Sequence, residues 1–526
     1  MKHLYSFLLS ALVCLSLSAQ NKVSGDSLAA DFHYLVKQLE AAHPDPYTGF
    51  GGKVFFHKQA FDLENELRSQ PHTLQEFWDK SMAFLSFIQD GHTYLFSLAP
   101  KQQQEQSYLP VGFRCIPDGL IVQSLPAAHQ DLLGSLLIGI NGKSMDELLA
   151  RTASLFACEN LYNRYSVFCR NVVRRQFMQQ LLPDLEDTVC FYLRTPDGKD
   201  VTLEQHFMEN EELRKAEKVN LPSWVGCPEE QMAYRFIDKK KEVMMFKVNS
   251  IMARDNFEYM YKHIKGDLLR QMEFYYQNAL KKEMPADTLQ AICALPSFSG
   301  TFAAMLKEMK KHHSEYLIID LRGNSGGWTP IVLASLYQLY GDKYLQKDMD
   351  TEYYRIVSPL YMNKLEITLE EFNRSYGTDY SFGDYTFSMK EQEDIPLDTL
   401  RRQFIDGCMS SVKEELRAQK GAPVYAPKQV FVVTDERTFS AAFHYAFMLW
   451  KMGATVVGVP SGQAPNTFME QTLFKLPYTG IEGSISNSVQ IFLPGKDKRA
   501  KTFWPDVMLT YDEYKQTGFD KQAEIL

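Results

Sequence analysis

A serine at the start of an apolar helix is the first residue whose position could do chemistry. The stretch "VFVVTDERTFSAAFHYAFMLWKMG" reads as a buried strand, a polar turn and a helix, with Ser440 at the helix N-terminus. Free backbone N–H groups and the positive end of the helix dipole concentrate there. A serine nucleophile at this position would gain the N–H of Ala441 as a donor to an oxyanion. The alternative is structural, because serine is also a common helix cap.

A glycine-rich turn at residues 323–327 offers a second set of backbone donors. The stretch "LIIDLRGNSGGWTP" reads as a core strand, closed by Asp320, and then Gly-Asn-Ser-Gly-Gly. Glycines let N–H groups approach a ligand closely, because no Cβ stands in the way. An oxyanion hole would use Gly326 or Gly327 in this way. A phosphate cradle would use the same geometry, but Trp328 follows where a P-loop has its lysine pattern; a plain tight corner is the remaining interpretation.

Three histidines could supply the base that a serine nucleophile needs. His92 in "DGHTYLF" lies at a predicted turn-to-strand junction, far from Ser440 in the sequence. His444 lies four residues after Ser440 on the same helical face, so its side chain should run along the helix surface. His43, in "HPDPYTGF", is expected to be structural beside its prolines. We therefore predict His92 as the base and rank His444 second.

Strands that alternate with helices must position these groups. From about residue 230 onward, the alternation predicts a largely parallel sheet covered by helices. The strand candidates are "EVMMFKVNSI", "YLIIDL" and "KQVFVVT". Residues 26–90 carry helical periodicity instead, and residues 108–205 read as short strands and turns with one or two helices. Residues 342–427 lack a clear period and are expected to form an insertion.

Composition limits the partners and the compartment. The 526 residues carry a net charge of −9 and no dense run of Lys and Arg, so we expect no nucleic-acid partner. Residues 1–20, "MKHLYSFLLSALVCLSLSAQ", have the basic start, the short apolar run and the small final residues of a cleaved signal peptide. We expect an exported protein, periplasmic or extracellular, without a stable membrane span. The residues before Cys14 suit a lipoprotein poorly.

The cysteine pattern gives no sign of a metal site. No Cys-x-x-Cys pair occurs, and an odd number of cysteines remains once Cys14 is removed with the signal peptide. A zinc site or a dense disulfide framework is therefore not expected, although one or two disulfides fit an oxidising compartment.

Five short motifs occur in a fixed order along the chain. They are "DGHTYLF", "IIDLRGNSGG", "TDERTFSAA" followed by "VVGVPSGQAPNTF", "FKLPYTGI" and "WPDVMLT". With "HPDPY", the matches span roughly residues 26–512 and resemble, in the same order, segments of the C-terminal processing (tail-specific) and tricorn-core serine peptidase family. The stretch "IGINGKSMDELL" is similar to part of that family's PDZ-like domain.

The resemblance implies an α/β fold with three regions after the signal peptide. A crotonase-like catalytic core, built from a mixed or parallel sheet with helices, would occupy residues 225–526. An N-terminal helical region would occupy residues 21–105, and a PDZ-like β-rich module would occupy residues 106–205.

The family's roles carry over to the matching positions. The resemblance makes Ser440 the nucleophile, with Gly326 or Gly327 and Ala441 as oxyanion donors. One branch of the family uses a downstream lysine as the base, but the corresponding "VPSGQAPNTF" contains none. The tricorn-like branch uses a histidine from the upstream segment, and His92 matches that histidine.

Glu470 is the predicted acid of the site. In "PNTFMEQ" it matches a glutamate that follows Pro-Asn in similar sequences. It would orient His92 or a water molecule. The alternative is a surface residue on a strand.

The resemblance implies hydrolysis of peptide bonds through an acyl-enzyme. Ser440 would be the nucleophile and His92 the general base, acting on a peptide or protein substrate without a metal or organic cofactor. One rival is a degenerate member of the fold that binds peptides without cutting them. Another is a crotonase-like enzyme that stabilises a thioester enolate, which the expected export disfavours because acyl-CoA substrates are cytosolic.

Overall fold

The computed structural model describes most of the chain. The described ranges are 22–98, 107–222, 231–263, 268–349, 351–387 and 395–525. The expected signal peptide, with Cys14, lies outside these ranges, and so does Cys227.

Three helices open the described chain. They are α1 (Gly25–Ala42), α2 (Lys53–Ser69) and α3 (Leu74–Ser86), with a 3-10 turn at Thr48–Phe50. The sequence "DSLAADF" predicts an Asp26-Ser27 cap for α1, but the N-cap is Ser24, whose hydroxyl accepts the N–H of Ser27 at 3.2 Å. As expected, α3 begins after Thr73, which forms a capping box with Glu76. The loop that carries His92 follows α3 and leads into β1 (Tyr94–Leu95).

The next region is rich in short strands, as its texture predicted, but residues 108–205 contain three helices where one or two were expected. Its strands are β2 (Ser107–Tyr108), β3 (Gly112–Ile116), β4 (Gly119–Pro126), β5 (Leu136–Ile140), β6 (Lys143–Ser144), β7 (Thr188–Arg194), β8 (Asp200–His206), β9 (Met208–Glu209) and β10 (Lys218–Asn220). Its helices are α4 (Met145–Leu155), α5 (Leu161–Asn171), α6 (Arg175–Leu181) and α7 (Asn210–Lys215), with a 3-10 turn at Ala127–Leu132. Among the described residues, β10-β4-β5-β7-β8 form an antiparallel sheet, with β3 on β4 and β6 on β5. The expected hairpin around Asp118 is β3–β4.

Strands and helices then alternate from residue 231 to residue 458. The strands are β11 (Met232–Phe236), β12 (Val243–Val248), β13 (Tyr316–Asp320), β14 (Glu352–Ile356), β15 (Tyr385–Phe387), β16 (Gln429–Thr434) and β17 (Thr455–Gly458). The helices are α8 (Arg254–His263), α9 (Leu268–Phe274), α10 (Thr288–Cys293), α11 (Phe298–His312), α12 (Pro330–Tyr340), α13 (Asp342–Leu345), α14 (Pro359–Leu365), α15 (Leu369–Tyr376), α16 (Leu397–Gly407), α17 (Lys413–Ala418) and α18 (Ala441–Lys451), with a π-helical turn at Tyr275–Leu280. The expected insertion, residues 342–427, therefore carries helices and strands of its own.

A five-stranded sheet, β11-β12-β13-β16-β17, lies at the centre of this region within the described residues. Its strands run parallel from β12 to β17, as the alternation predicted, and β11 is antiparallel at one edge. Phe246, Ile319 and Val432 are fully buried in it and pack with side chains of α11, α12 and α18. Asp320 pairs with Val433, so β13 and β16 end at the same edge of the sheet. The glycine turn and the Ser440 turn both start there, where open α/β sheets usually bind ligands.

A second sheet anchors the loop of His92. Strands β18 (Thr467–Lys475) and β19 (Glu482–Ile491) form a long antiparallel hairpin, and β19 also pairs with β14. On the hairpin's other side, Tyr94 of β1 pairs with Ser484 of β19. A strand from late in the sequence therefore fixes the segment that follows His92. Helix α19 (Tyr511–Gln516) and a 3-10 turn at Lys521–Glu524 complete the described elements.

The expected α/β class is confirmed as a mixed fold of sheets and many helices. The proposed domain boundaries stay predictions. The described cysteines are all free, so neither of the disulfides that the composition allowed forms within the described part of the chain.

One helical stretch has the length and mean hydropathy that a membrane crossing requires. Among the described residues, only Thr288–His312 meets this criterion, and half of its apolar window is buried inside the protein. Its later part is α11, which packs against the central sheet. Core helices of soluble proteins meet the same criterion, so the stretch is weak support for a span.

Candidate active site

Ser440 occupies a strained turn between β16 and α18. Its backbone has φ 52° and ψ −127°, a conformation that costs a non-glycine residue of order 1–3 kcal/mol. Its side chain makes no capping hydrogen bond to the helix. The alternative role of Ser440 as a helix cap is therefore not supported. A sharp strand-to-helix turn of this kind exposes the nucleophile of other serine hydrolases.

The side chain of Gln463 fixes the backbone of this turn. Its Oε1 accepts a hydrogen bond from the N–H of Ser440, and the side chain is fully buried. The N–H of Phe439 donates to the carbonyl of Asn324, at 3.1 Å, and so ties the nucleophile turn to the glycine turn. The position of the Ser440 hydroxyl is therefore set by contacts on both sides of the turn.

The glycine turn packs directly against the nucleophile. A Cβ placed on Gly326 would lie 2.7 Å from the Cβ of Ser440 and 2.9 Å from the backbone nitrogen of Ala441. The φ of Gly326 is +107°, which side chains rarely tolerate. Gly326 thus has two reasons to be glycine, and both concern the approach to Ser440. The turn is therefore more than the tight corner that the sequence left open.

The three N–H groups predicted as oxyanion donors differ in whether they are already hydrogen-bonded. The N–H of Gly326 is used, because it donates to Oδ1 of Asn324 at 2.9 Å. The N–H groups of Gly327 and Ala441 make no hydrogen bond within the ranges that the structure describes. Gly327 follows the glycine that touches Ser440, and Ala441 follows Ser440 itself. Of the two glycines predicted as alternatives, the unbonded N–H belongs to Gly327.

A buried network of charged side chains is hydrogen-bonded to the start of the glycine turn. The guanidinium of Arg322 donates to Asp320 and to Glu524, both at 2.7 Å. Although burial raises it, the charges of Arg322 and Lys247 hold the pKa of Asp320 well below its ordinary value. The N–H of Gly323 donates to the carboxylate of Asp435 at 2.9 Å. Residues near the C-terminus therefore help to hold the loop that carries the oxyanion donors.

His92 lies in the loop between α3 and β1 and touches the nucleophile turn. Its ring packs against the ring of Phe439, the residue before Ser440, with 4.9 Å between centroids. No hydrogen bond joins His92 to Ser440 within the described residues. Burial lowers the pKa of His92, and the negative charge of Asp90 opposes that effect in part. The imidazole is therefore held in its neutral form, as a general base requires.

The Nδ1 atom of His92 is buried and has no hydrogen-bond partner within the described residues. Two carboxylate oxygens, Oδ1 of Asp90 and Oε1 of Glu159, each lie 3.9 Å from it. These three groups place one donor atom each within 4.8 Å of one another, close enough to surround a metal ion. Both carboxylates already accept backbone N–H groups, so hydrogen bonding accounts for the cluster and we assign no metal ligand there.

Asp90 is held by His43, the third histidine considered as a base. Nε2 of His43 lies 3.2 Å from Oδ2 of Asp90, and its Nδ1 accepts the N–H of Asp45 at 3.1 Å. Burial alone would raise the pKa of Asp90, but the hydrogen bond and charge of His43, with the charge of His92, lower it to about 2. Asp90 is therefore ionised, and His43 has the structural role expected of it.

Glu159 enters the site from the loop between α4 and α5. Its side chain is 1% exposed. Its carboxylate accepts the N–H of Ala464 at 2.8 Å and that of Gly91 at 3.3 Å. Burial raises the pKa of Glu159 well above its ordinary value; the Ala464 hydrogen bond opposes this shift, and the charge of Asp90 adds to it.

His444, the second candidate base, is locked in a different network. Its Nε2 lies 2.8 Å from Oε1 of Gln490 and its Nδ1 lies 2.9 Å from the hydroxyl of Thr329. Burial lowers its pKa to about 4, although the Gln490 hydrogen bond opposes the shift. His444 is therefore a neutral core histidine. Both of its ring nitrogens are hydrogen-bonded to residues other than Ser440.

Glu470 forms ion pairs with two cations, and none of its hydrogen bonds or ion pairs within the described residues is with His92. Its carboxylate pairs with Arg355, at 2.5 Å, and with Lys364, at 3.3 Å. Burial raises the pKa of Glu470, but the charges of Lys364 and Arg355 outweigh it and hold the pKa below its ordinary value. The neighbouring Gln471 reaches the histidine loop instead, where its amide lies 3.4 Å from the carbonyl of His92. A catalytic role for Glu470 stays a prediction.

Sequence reasoning missed three residues that shape the site. Asp90 stood in the quoted "DGHTYLF" segment as a turn residue only, and its carboxylate next to a histidine was the available signal. Gln463 was noted only because it stood where a lysine could have been. Glu159 lies in "CENLYN", which carries no recognisable pattern. Only the packing of the folded chain reveals its place.

Comparisons with known proteins agree with this geometry. Residues 290–482 match the family model "Peptidase family S41". No curated protein matches the chain in sequence. The solved structure of mature CPAF is 13% identical with a TM-score of 0.56, and covers 95% of this chain and 96% of its own. Mature CPAF complexed with lactacystin is 15% identical with a TM-score of 0.53, and covers 95% and 97%. At these identities, the likeness to solved structures establishes the fold alone.

The chain is a serine-type peptidase. The resemblance read from the motifs is confirmed, because the matched segment, 290–482, contains both the glycine turn and Ser440. His92 and Glu159 lie outside the matched segment.

Proposed function

We propose that the protein hydrolyses peptide bonds through an acyl-enzyme, with Ser440 as the nucleophile and His92 as the general base. One observation carries the proposal. A strained turn displays Ser440 against the glycine turn, the N–H groups of Gly327 and Ala441 are unbonded within the described residues, and the ring of His92 packs against the residue before that serine. This combination matches the requirements of acyl transfer.

The reaction would proceed in two steps. The Oγ of Ser440 attacks the peptide carbonyl carbon while His92 takes the hydroxyl proton, and the N–H groups of Gly327 and Ala441 hold the oxyanion. The tetrahedral intermediate collapses, the C–N bond breaks, and His92 gives its proton to the leaving amine. Water then attacks the acyl ester while His92 takes one of its protons. The ester C–O bond breaks, His92 gives that proton to Oγ of Ser440, and the carboxylic acid product leaves and ionises in solution.

The β-rich region would supply substrate binding. We propose that it is the PDZ-like module of the protein and that the central sheet belongs to a crotonase-like catalytic core. Its antiparallel sheet has a free edge at β8 within the described residues, and an extended peptide could add to such an edge. Fluorescence-detected binding of a labelled peptide to the Ser440→Ala protein, with and without residues 106–205 intact, would test this module.

Export also belongs to the proposal. Residues 1–20 lie outside the described ranges, and their composition alone supports a signal peptide. Cell fractionation with N-terminal sequencing of the mature chain tests it. A protein that keeps its first residue and stays inside the cell would contradict export.

A serine-directed fluorophosphonate probe tests the nucleophile. We expect the probe to label the wild-type protein and the Ser325→Ala variant, because Ser325 is an exposed serine of the neighbouring turn. Ser440→Ala should not be labelled. A peptide library digested with the same proteins should be cut only by the two that are labelled. If no protein is labelled or active, the acyl-enzyme proposal fails, and a protein that only binds peptides becomes the better description.

A further inference from the structure

The proposed reaction leaves one buried carboxylate near His92, that of Glu159, without a role. His92 would take the serine proton at one ring nitrogen, and its other nitrogen then needs an acceptor. Nδ1 is the nitrogen that lacks a partner within the described residues. A buried N–H without an acceptor costs about 1–3 kcal/mol, so this atom points to a missing contact.

Two carboxylates are equally near, but their free capacity differs. Oδ1 of Asp90 accepts the backbone N–H of His92 at 2.8 Å. Its Oδ2 accepts the hydroxyl of Thr93 at 2.5 Å and faces His43 at 3.2 Å. Oε1 of Glu159 accepts the N–H of Gly91, at 3.3 Å. Each carboxylate oxygen has room for about two hydrogen bonds, so the carboxylate of Asp90, with these three contacts, has less capacity left than that of Glu159. The two oxygens that face Nδ1 each carry one bond, and the bond to Oε1 of Glu159 is the longer and weaker one.

Glu159 is also held so that it can aim at His92. Its other oxygen, Oε2, is fixed at 2.8 Å by the N–H of Ala464, which lies on the segment after β17. Oε1 lies on the other side of the same carboxylate, 3.9 Å from Nδ1 of His92. A hydrogen bond would need this distance to shorten to about 3 Å, and catalytic hydrogen bonds commonly tighten only when substrate binds.

We infer that Glu159 is the positioning residue of His92: its Oε1 accepts the Nδ1–H, turns the opposite ring nitrogen toward Ser440 and stabilises the imidazolium once it forms. This inference rests on the proposed function. Glu159 acts through His92 and does not itself touch the substrate.

The electrostatics favour this pairing in the transition state rather than in the resting protein. Burial raises the pKa of Glu159 and lowers the pKa of His92, so each group in isolation resists being charged. A positive imidazolium beside the carboxylate would reverse both tendencies at once. The two groups therefore stabilise each other most when His92 holds the serine proton, which is where an interaction accelerates the reaction.

Nuclear magnetic resonance of the imidazole protons tests the inference without any need for hydrolysis. The pKa of His92 would be measured in Ser440→Ala and in Ser440→Ala with Glu159→Gln, with His92→Gln assigning the signal. We expect the pKa of His92 to fall by about one unit when the carboxylate is replaced, because a negative charge beside the imidazolium is lost. An unchanged pKa would overturn the inference.

Kinetics give the second readout. Glu159→Gln should lower kcat about 10- to 100-fold with little change in KM, and the acidic limb of the kcat/KM profile should move to lower pH. An acidic limb at its wild-type position contradicts the inference. If Glu159→Gln fails to fold, Glu159→Asp keeps the charge but withdraws the oxygen from Nδ1, and the same two readouts apply with the same directions.

Asp31→Asn is the matched control. Asp31 is also a fully buried carboxylate that accepts two backbone N–H groups, those of Tyr478 and Thr479, each at 2.8 Å. This variant should lose stability and leave the pKa of His92 unchanged. If Glu159→Gln behaves in the same way, Glu159 is only structural and the inference is wrong. Failure of the fluorophosphonate probe to label the wild type would instead contradict the proposed function, while the pKa of His92 would still decide on Glu159.

Discussion

The two halves of the site are built in different ways. The nucleophile half joins Ser440 and the glycine turn 323–327, which follow neighbouring parallel strands and touch through backbone atoms. The histidine half joins His92 to Asp90, which lies in the same loop, and to Glu159, which lies in the loop between α4 and α5. Both carboxylates approach the imidazole with their side chains, at 3.9 Å. Side-chain oxygens already hold the turn of the first half, whereas Nδ1 of His92 has no partner among the described residues.

This difference follows from what each half has to do. Oxyanion donors act best when they are fixed in advance, because then no reorganisation is needed during the reaction. A general base changes its charge, so its surroundings must suit both the neutral and the charged form. We therefore expect the nucleophile half to be sensitive to displacement and the histidine half to be sensitive to charge. The variants below test that contrast.

Removal of the base should have the largest effect. We expect His92→Ala to lower kcat about a thousand-fold, because general base catalysis is lost. Added imidazole should restore part of the activity, since a small base could fill the space left by the ring. The measurement is peptide cleavage over a range of pH. Cleavage equal to that of the wild type would remove His92 from the mechanism.

Displacement of the glycine turn should come next. Gly326→Ala places a Cβ 2.7 Å from the Cβ of Ser440, so the two turns must separate. We expect kcat/KM to fall about 100-fold or more, the usual cost of a small misplacement, with no shift of the pH profile. The control is Gly323→Ala in the same turn. Its φ is +77°, but nothing lies within 4 Å of the added Cβ, so a much smaller loss is expected.

An equal loss in both glycine variants would contradict the contrast. It would show that backbone conformation, rather than contact with the nucleophile, sets the requirement for glycine. A shifted acidic limb in Gly326→Ala would also contradict it, because the nucleophile half would then control the charge of His92.

The sequence predicts the nucleophile half much better than the histidine half. Ser440 and the glycines lie in continuous strand-turn-helix segments, where the local pattern and the register of parallel strands decide the geometry. His92 was chosen over His444 and His43 from its sequence position, and the family motif supported that choice. The residues around it were not identified, because Glu159 reaches His92 from a loop that shares no local pattern with "DGHTYLF". Contacts between side chains on distant loops depend on tertiary packing, which periodicity does not encode.

The same limit explains the predictions about fold. The strands β12, β13 and β16 were predicted from short apolar runs, and their parallel order follows from the helices between them. The pairing of β1 with β19 was not predicted, since nothing local connects residues so far apart. Residues 342–427 were interpreted as lacking a clear period, but they contain helices such as α15 and α16, and α16 is as long as α12 and α18.

His444 is expected to affect the pH dependence of stability rather than catalysis. Burial lowers the pKa of His444 to about 4, whereas its ordinary value is 6.5. Below pH 6.5 the unfolded chain binds a proton at this residue and the native chain does not, so stability falls as the pH decreases toward 4. We expect this residue to account for about 2 kcal/mol of lost unfolding free energy between pH 7 and pH 5. Chemical denaturation of the wild type and of His444→Gln checks this.

The variant should show a flatter dependence on pH, because glutamine has no proton to bind. Equal slopes in the two proteins would mean that His444 is protonated in the native state and that its bonds to Thr329 and Gln490 are not kept.

Replacement of Glu470 should have the smallest effect and separates the two acids that could serve His92. The carboxylate of Glu470 is in ion pairs with Arg355 and Lys364, whose side chains are 30% and 37% exposed. Partly exposed pairs of this kind contribute about 1 kcal/mol or less, so Glu470→Gln should lower stability by at most that amount.

The ion pairs of Glu470 predict that Glu470→Gln leaves the acidic limb of kcat/KM unchanged, in contrast to Glu159→Gln. If instead Glu470→Gln moves that limb and Glu159→Gln does not, the glutamate expected from the sequence is the acid of the site. That result would require a large rearrangement, because Glu470 would have to break its ion pairs with Arg355 and Lys364 to contact His92. Glu159 needs to move by only about 1 Å to form the same hydrogen bond.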